Sequence, residues 1–294
     1  MNIVILSRST ALYSTQSLYN AAIRRGHFVR VVDHMYCDLF MEKNKFAVYY
    51  NGRLLNHVHA IIPRIGATAT EYGAYVIRHF EQMGVYTTLK SDSLIKARNK
   101  FTSLQLLAGA GIAIPPTAIT NYTEDLDGFL NMFGEHPLII KLLNSTHGEG
   151  VIKSESTNIS KALIESFLKL KHKILIQKYI KESSGTDIRL FVVGDRVVAA
   201  MERTAQPGEF RSNLHRGATS QKIVPTSQEI SIAKRSARIL GLQVAGVDIL
   251  RSYEGPLVIE VNASPGLEGI ETTTNFDVAR SIIALVERNA KMRL

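Results

Sequence analysis

The sequence predicts an α/β protein: a parallel-sheet domain at the N-terminus, then a region of mixed strands and helices. Two observations carry this. The first ninety or so residues alternate apolar runs with helical patterns, the rhythm of βαβ units. Further on, turn-forming pairs join adjacent apolar runs into hairpins, as antiparallel strands require.

Residues 3–6 are an unbroken apolar run, expected of a strand buried on both faces. Residues 14–25 read as a helix closed by Gly26, and residues 28–32 as the next strand. Residues 59–65 are another strand, and residues 71–83 a helix stopped by Gly84. No Gly-x-Gly-x-x-Gly follows the first strand, so no dinucleotide site is expected there. One long helix is expected over 91–108, ending at Gly109-Ala110-Gly111, before Pro115-Pro116 breaks the chain. Strands follow at 137–143 and 174–180, with a glycine-bearing loop at 144–150 and a helix at 160–171. Residues 187–193 and 196–201 form a hairpin over Gly194-Asp195, residues 227–240 a helix ended by Gly241, and residues 277–289 a last helix.

The most telling stretch is Val247-Asp248-Ile249-Leu250, then a turn at Tyr253-Glu254-Gly255, then Val258-Ile259-Glu260-Val261-Asn262. Glu260 and Asn262 are two apart on a strand, so they share a face. A hairpin can set Asp248 opposite them. Three oxygen ligands among Val, Ile and Leu suit a hard divalent cation better than they suit a core; otherwise the hairpin has one solvated polar face.

Lys141 lies mid-strand in Leu138-Ile139-Ile140-Lys141-Leu142-Leu143. Either it holds an anion or it snorkels to water. The loop after it, with Gly148 and Gly150, can turn backbone N–H groups toward phosphate, though it is not a P-loop. Gln177-Lys178-Tyr179-Ile180, followed by Asp187, is either an edge strand with a turn aspartate or a hinge that reads adenine and ribose. Arg211-Ser212-Asn213-Leu214-His215-Arg216-Gly217 gathers phosphate-seeking groups, or is a solvated loop.

The 294 residues allow two or three domains, and 45% hydrophobic with 21% charged residues is an ordinary globular balance. No apolar run approaches the roughly 18 residues of a membrane span. A single cysteine, Cys37, excludes an internal disulfide and fits a reducing cytoplasm. The net charge of +9 attracts anions. It is dispersed, and aromatics are not interleaved with basic residues, so direct nucleic-acid binding is not favoured. No zinc, EF-hand or nucleophile-elbow pattern is present.

The order of these parts resembles the ATP-grasp ligases. Ile180-Lys181-Glu182, Asp187-Ile188-Arg189, Phe210 through Gly217, Val244 through Leu250, and Glu260-Val261-Asn262-Ala263-Ser264-Pro265-Gly266-Leu267-Glu268-Gly269-Ile270-Glu271 are similar to RimK-type L-glutamate ligases. The likeness covers essentially the whole chain, Pro63-Arg64-Ile65-Gly66 included. It implies an N-terminal pre-ATP-grasp α/β domain at 1–95, an ATP-grasp small subdomain at 96–184 and a large subdomain with the metal site at 185–294, the last two clasping the nucleotide. It implies ATP as co-substrate, with Lys100 and Lys141 on its phosphates, Lys178 and Tyr179 at adenine through their backbone, and Asp187 at ribose. Arg211, Ser212 and Asn213 would face the phosphates. Asp248, Glu260 and Asn262 would hold two Mg²⁺ or Mn²⁺ ions, binding them weakly without nucleotide. Arg189, Arg203 and Arg211 would steady an acylphosphate, with Asn213 beside them. The implied partners are L-glutamate and the acidic C-terminal tail of a small-subunit ribosomal protein, and self-association is implied as well. Related chains generally carry Glu where this one has Lys178. A small-molecule acceptor, or an ATP-regulated ribosome-binding module without chemistry, are the competing functions; three intact metal ligands argue against the second.

Overall fold

A computed structural model describes residues 1–143 and 150–290. It opens with β1 (Asn2–Leu6), α1 (Tyr13–Arg24) and β2 (Phe28–Val32). Next comes an antiparallel meander of β3 (Cys37–Glu42), β4 (Lys45–Tyr50) and β5 (Arg53–Leu54), where no element was expected. Its second turn is Asn51-Gly52, with φ of 50° and 71°, the left-handed pair that a tight two-residue hairpin needs. Then come β6 (Ala60–Pro63), α2 (Thr70–Gln82) and β7 (Tyr86–Thr87). The first sheet runs β2-β1-β6-β7, all parallel, as the apolar runs predict.

The long helix expected over 91–108 is two: α3 (Ser91–Arg98) and α4 (Lys100–Gly109). Asn99 parts them. Its backbone leaves helical geometry (φ −81°, ψ 101°), and its side chain accepts a hydrogen bond from the Thr102 N–H at 3.0 Å. An asparagine satisfied in this way starts a helix rather than continuing one.

The middle of the chain holds β8 (Thr117–Ala118), α5 (Leu126–Asn131), β9 (Leu138–Leu142), β10 (Val151–Ser154), α6 (Thr157–Lys169) and β11 (Ile174–Lys178). Its antiparallel sheet runs β10-β9-β11-β8 and has a core of its own around Leu130, Ile140, Ile164 and Ile176. Most of the expected phosphate loop, residues 144–149, lies outside the described residues.

The rest is a larger antiparallel sheet. It uses β12 (Thr186–Val193), β13 (Arg196–Thr204), β14 (Thr219–Lys222), then after α7 (Ser227–Ile239) the hairpin of β15 (Val244–Ser252) and β16 (Gly255–Asn262), in the order β14-β13-β12-β15-β16. The two final helices are α8 (Glu268–Thr274) and α9 (Val278–Ala290). Ile188, Leu190, Val247 and Ile249 point from one face of the sheet into a core shared with Phe80 and Leu94 of the N-terminal part. Phe191 and Met201, on the other face, share a core with α1 and α9. Ile282 and Ile283 of α9 pack there with Leu18 and Ala22 of α1, and Arg25 pairs with Glu287 at 2.5 Å. The chain is thus a mixed α/β protein in which the end covers the beginning, and only the middle sheet keeps a separate core.

Candidate active site

The face of the large sheet that carries Phe191 becomes polar toward its far end. Strand register sets Arg189 opposite Asp248, Asp248 opposite Glu260, and Asp187 opposite Arg203. Alternation keeps Asn262 on the side of Glu260. A bulge after Asp248 lets Ile259 slip out of the ladder and leaves this pairing in place.

These side chains form a chain of ion pairs. Arg189 grips Asp248 with two hydrogen bonds, Nε to Oδ1 at 2.7 Å and Nη2 to Oδ2 at 2.6 Å. Arg203 grips Asp187 in the same way, at 2.7 Å twice, and its Nη2 also reaches Asp248 Oδ2 at 3.1 Å. Arg203, Asp187 and Asp248 are nearly inaccessible, with side chains 4–7% exposed, so each charge depends on its partner; removing one costs about 3–5 kcal/mol in such settings. Burial acts to raise the Asp248 carboxyl, but the two guanidiniums outweigh it and hold it below the usual carboxylate range. Asp187 goes the other way: burial pushes its carboxyl up, and Arg203 and the Ser212 hydroxyl offset only part of that.

Beyond this network, Glu260 is exposed and Asn262 half-buried, and neither makes a side-chain hydrogen bond or ion pair among the described residues. Free carboxylate and amide oxygens beside Asp248 fit a hard cation. No cluster of three His, Cys, Asp or Glu stands together among the described residues, so such a site depends on the Asn262 amide.

Across the cleft, Lys141 projects from β9 and donates to Gln177 Oε1 at 2.7 Å; Gln177 in turn donates to Thr117 Oγ1 at 2.9 Å. Burial lowers the Lys141 pKa to about 8, and nearby Lys100 lowers it further, against the pull of Glu260 and Asp248. An ammonium held this poorly needs an anion.

The hinge is laid out by two prolines. The N–H groups of Lys178 and Tyr179 donate to Pro116 and Pro137 carbonyls, at 2.9 and 3.2 Å. Both amides are therefore used by the sheet. Proline has no N–H to return, so the Lys178 and Tyr179 carbonyls receive no reciprocal bond. The Ile180 N–H has no partner among the described residues. Two open acceptors followed by one open donor are left at the edge of the cleft, and the Lys153 ammonium stands 4.5 Å over the Tyr179 ring.

The residues given nucleotide, metal or acylphosphate roles from the sequence, from Lys100 and Lys141 through Asp187 and Arg211 to Asp248, Glu260 and Asn262, line one cleft of about 1330 Å³ between the middle and large sheets and the N-terminal part, whereas Gly150 and Arg216 are not among its lining residues. Arg211 reaches it already clamped, its Nη2 on Glu209 Oε2 at 2.6 Å, which with the Arg211 bonds brings the Glu209 carboxyl down to about 2. Sequence reasoning missed Glu209, and nothing about a glutamate in a loop would have marked it. It also gave Arg64, Arg98 and Ser264 no role. For Arg64 there was a signal: it directly follows the apolar strand β6, at the carboxyl end where parallel sheets take ligands.

A cleft between two antiparallel sheets, with lysines on one side and the oxygens of Asp248, Glu260 and Asn262 on the other, beside a parallel-sheet domain, has the layout of an ATP-grasp ligase. Residues 97–286 match the RimK-like ATP-grasp domain, and residues 1–94 the RimK PreATP-grasp domain. The chain belongs to the RimK-like ATP-grasp family. A probable alpha-L-glutamate ligase 1 of Hahella chejuensis is 50% identical over 291 residues, 99% of this chain and 96% of that protein. A probable alpha-L-glutamate ligase of Vibrio cholerae is 48% identical over 290 residues, 99% of this chain and 96% of its own. Among solved structures, the ATP-grasp ligase PsnB complexed with precursor peptide PsnA2 and AMPPNP superposes with a TM-score of 0.77 at 20% identity, over 99% of this chain and 98% of that one. The macrocyclase MdnC bound with precursor peptide MdnA, from Microcystis aeruginosa, gives 0.76 at 15% identity, over 98% and 100%.

Proposed function

We propose that the protein joins L-glutamate to the C-terminal carboxylate of an acceptor polypeptide, a small-subunit ribosomal protein, consuming ATP through an acylphosphate. The observation that carries this is the single cleft in which the free oxygens of Glu260 and Asn262, beside Asp248, face the poorly solvated Lys141 and an open hinge. Relatives named alpha-L-glutamate ligases, half identical over nearly the whole chain, support the choice of amine. Neighbours solved with precursor peptides support a polypeptide acceptor.

The Lys178 and Tyr179 carbonyls and the Ile180 N–H offer adenine its acceptors and donor. Asp187, just past the hinge, serves ribose with whatever lone pairs Arg203 leaves it. Lys100 and Lys141 hold phosphate oxygens, and Ser212 and Asn213 line the same wall. Asp248, Glu260 and Asn262 would hold two Mg²⁺ or Mn²⁺ ions, which when bound would neutralise phosphate charge as the phosphoryl group moves. An oxygen of the acceptor carboxylate attacks the γ-phosphorus, the bond to the bridging oxygen breaks, and ADP leaves. The glutamate nitrogen then attacks the acyl carbon, the carbon–oxygen bond to phosphate breaks, and the amine loses a proton as the amide forms. Arg189, Arg203 and Arg211 oppose the negative charge of the acylphosphate.

The net charge of +9 favours a tail that grows more acidic with each addition. No helix among the described residues is long and apolar enough to cross a membrane, and Cys37 is buried and free, in keeping with a cytoplasmic protein. Intact mass measurement of candidate acceptors, after incubation with ATP, Mg²⁺ and L-glutamate, tests the reading. Mass steps of one glutamyl unit with matching ADP are expected. ADP formed only with a small acid would sink the polypeptide acceptor, and no ADP in any mixture would sink the ligase.

A further inference from the structure

One wall of the cleft holds two cations that nucleotide and metal leave unused. Arg64 directly follows β6, and Arg98 ends α3. In the parallel sheet, β1 leads to β2 on one side while β6 lies on the other, so the order reverses between β1 and β6. Open α/β sheets take ligands in the crevice past the carboxyl ends of the strands at such a reversal. Arg64 stands there.

Its Nη2 donates to the Pro265 carbonyl at 2.6 Å, and Arg98 Nη2 donates to the Ile65 carbonyl. Both acceptors are neutral. Neither arginine has an ion pair among the described residues, although both line the cleft. Arg98 Nε and the Ser264 hydroxyl are buried without a hydrogen-bond partner among the described residues. Burial lowers the Arg64 pKa to about 10, and the charge of Arg98 adds to this; burial also lowers Arg98, against the pull of Glu260. Two guanidiniums close enough to feel each other's charge, with buried donors unspent, call for an anion to complete them. Pro265 leaves the strand of Glu260 and Asn262, so the pair adjoins the metal end of the cleft and not the hinge.

We propose that Arg64 and Arg98, with the Ser264 hydroxyl, bind a carboxylate of the incoming L-glutamate and so present its amine to the acyl carbon. This rests on the ligase reading above. A planar guanidinium pair matches a carboxylate, and here three elements supply it: Arg64 follows β6 of the N-terminal sheet, Arg98 ends α3 and Ser264 follows β16.

The test varies ATP, acceptor and L-glutamate separately in steady-state kinetics of the full enzyme and of Arg64→Lys, Arg98→Met and the gentler Ser264→Ala. Titration of L-glutamate into enzyme with ADP and Mg²⁺ reads binding directly, and melting temperatures check folding. We expect the KM for glutamate to rise about tenfold or more in the arginine variants, and less in Ser264→Ala, with the KM values for ATP and acceptor unchanged. Glutamine separates the two carboxylates: a narrowed glutamate-to-glutamine preference assigns the side-chain carboxylate, and an equal loss of both the α-carboxylate. A rise in the acceptor KM or the ATP KM instead, or no change in glutamate binding in any variant, overturns the proposal. Failure of the ligase reading looks different: the unmodified enzyme would then add no glutamate, while the titration would still report whether this pair binds it.

Discussion

Lys141 sits where solvation is poor and two carboxylates are near but not bonded to it. With its pKa lowered from 10.5 to about 8, the free protein binds fewer protons there than the unfolded chain between those values, so its cost to the fold shrinks as pH rises through that window. Nucleotide phosphates act in the opposite sense and draw the proton back on. Above pH 8, ATP binding should therefore take up a proton, and affinity should fall by up to about tenfold per pH unit. Calorimetry in buffers of different ionisation enthalpy measures the uptake, and Lys141→Arg, charged throughout, should flatten the profile. A wild-type affinity that is level across this range would refute the assignment. Glu260 makes a complementary case. Its carboxylate is exposed and unbonded, so Glu260→Gln should leave stability within about 0.5 kcal/mol, while metal–nucleotide binding weakens and turnover drops at least about 100-fold. Denaturant unfolding and Mn²⁺ titration monitored by electron spin resonance check the two halves, and undiminished Mn²⁺ binding would remove Glu260 from the metal set.

Elements bring such residues together, and those with periodic or turn signals were legible. The parallel strands, the 194–195 hairpin and the Asp248–Glu260 pairing follow from apolar runs and alternation. The break at Asn99 did not, because residues 91–108 keep helix-forming composition throughout and only the side chain's choice of the Thr102 N–H ends the first helix. That choice matters to the site: it turns Arg98 and Lys100, two residues apart, into the last residue of one helix and the first of the next, both on the cleft. Asn99→Ala removes the cap and favours a continuous helix. We expect a stability loss of about 1 kcal/mol. The KM for ATP should rise as well, because Lys100 loses its placement. Urea unfolding with parallel kinetics measures both; a stability loss with normal KM would mean that the cap holds the helix but does not position Lys100.

At the scale of the molecule, what local patterns cannot express is which distant segments share a core. α9 reads as a helix from its sequence, yet its partner α1 lies far back in the chain, as the bond from Arg25 to Glu287, 262 residues apart, also shows. The N-terminal sheet and the large sheet are thereby fused through two common cores, while the middle sheet shares a third core with α5 and α6. A unit with its own core is expected to open locally without disturbing the body. Ile164 and Ile283, each fully buried, report on the two units separately. Truncation to alanine at either should cost about 2–5 kcal/mol. In amide hydrogen exchange, Ile164→Ala should speed exchange in β9, β10 and β11 while β1, β12 and β15 stay protected. Ile283→Ala should instead loosen β1 and β12 together, because they lean on the same side chains. If Ile164→Ala accelerated β12 and β15 as much as β9, the middle sheet would be part of the body, and closure over the nucleotide would have to come from side chains and not from the movement of a subdomain.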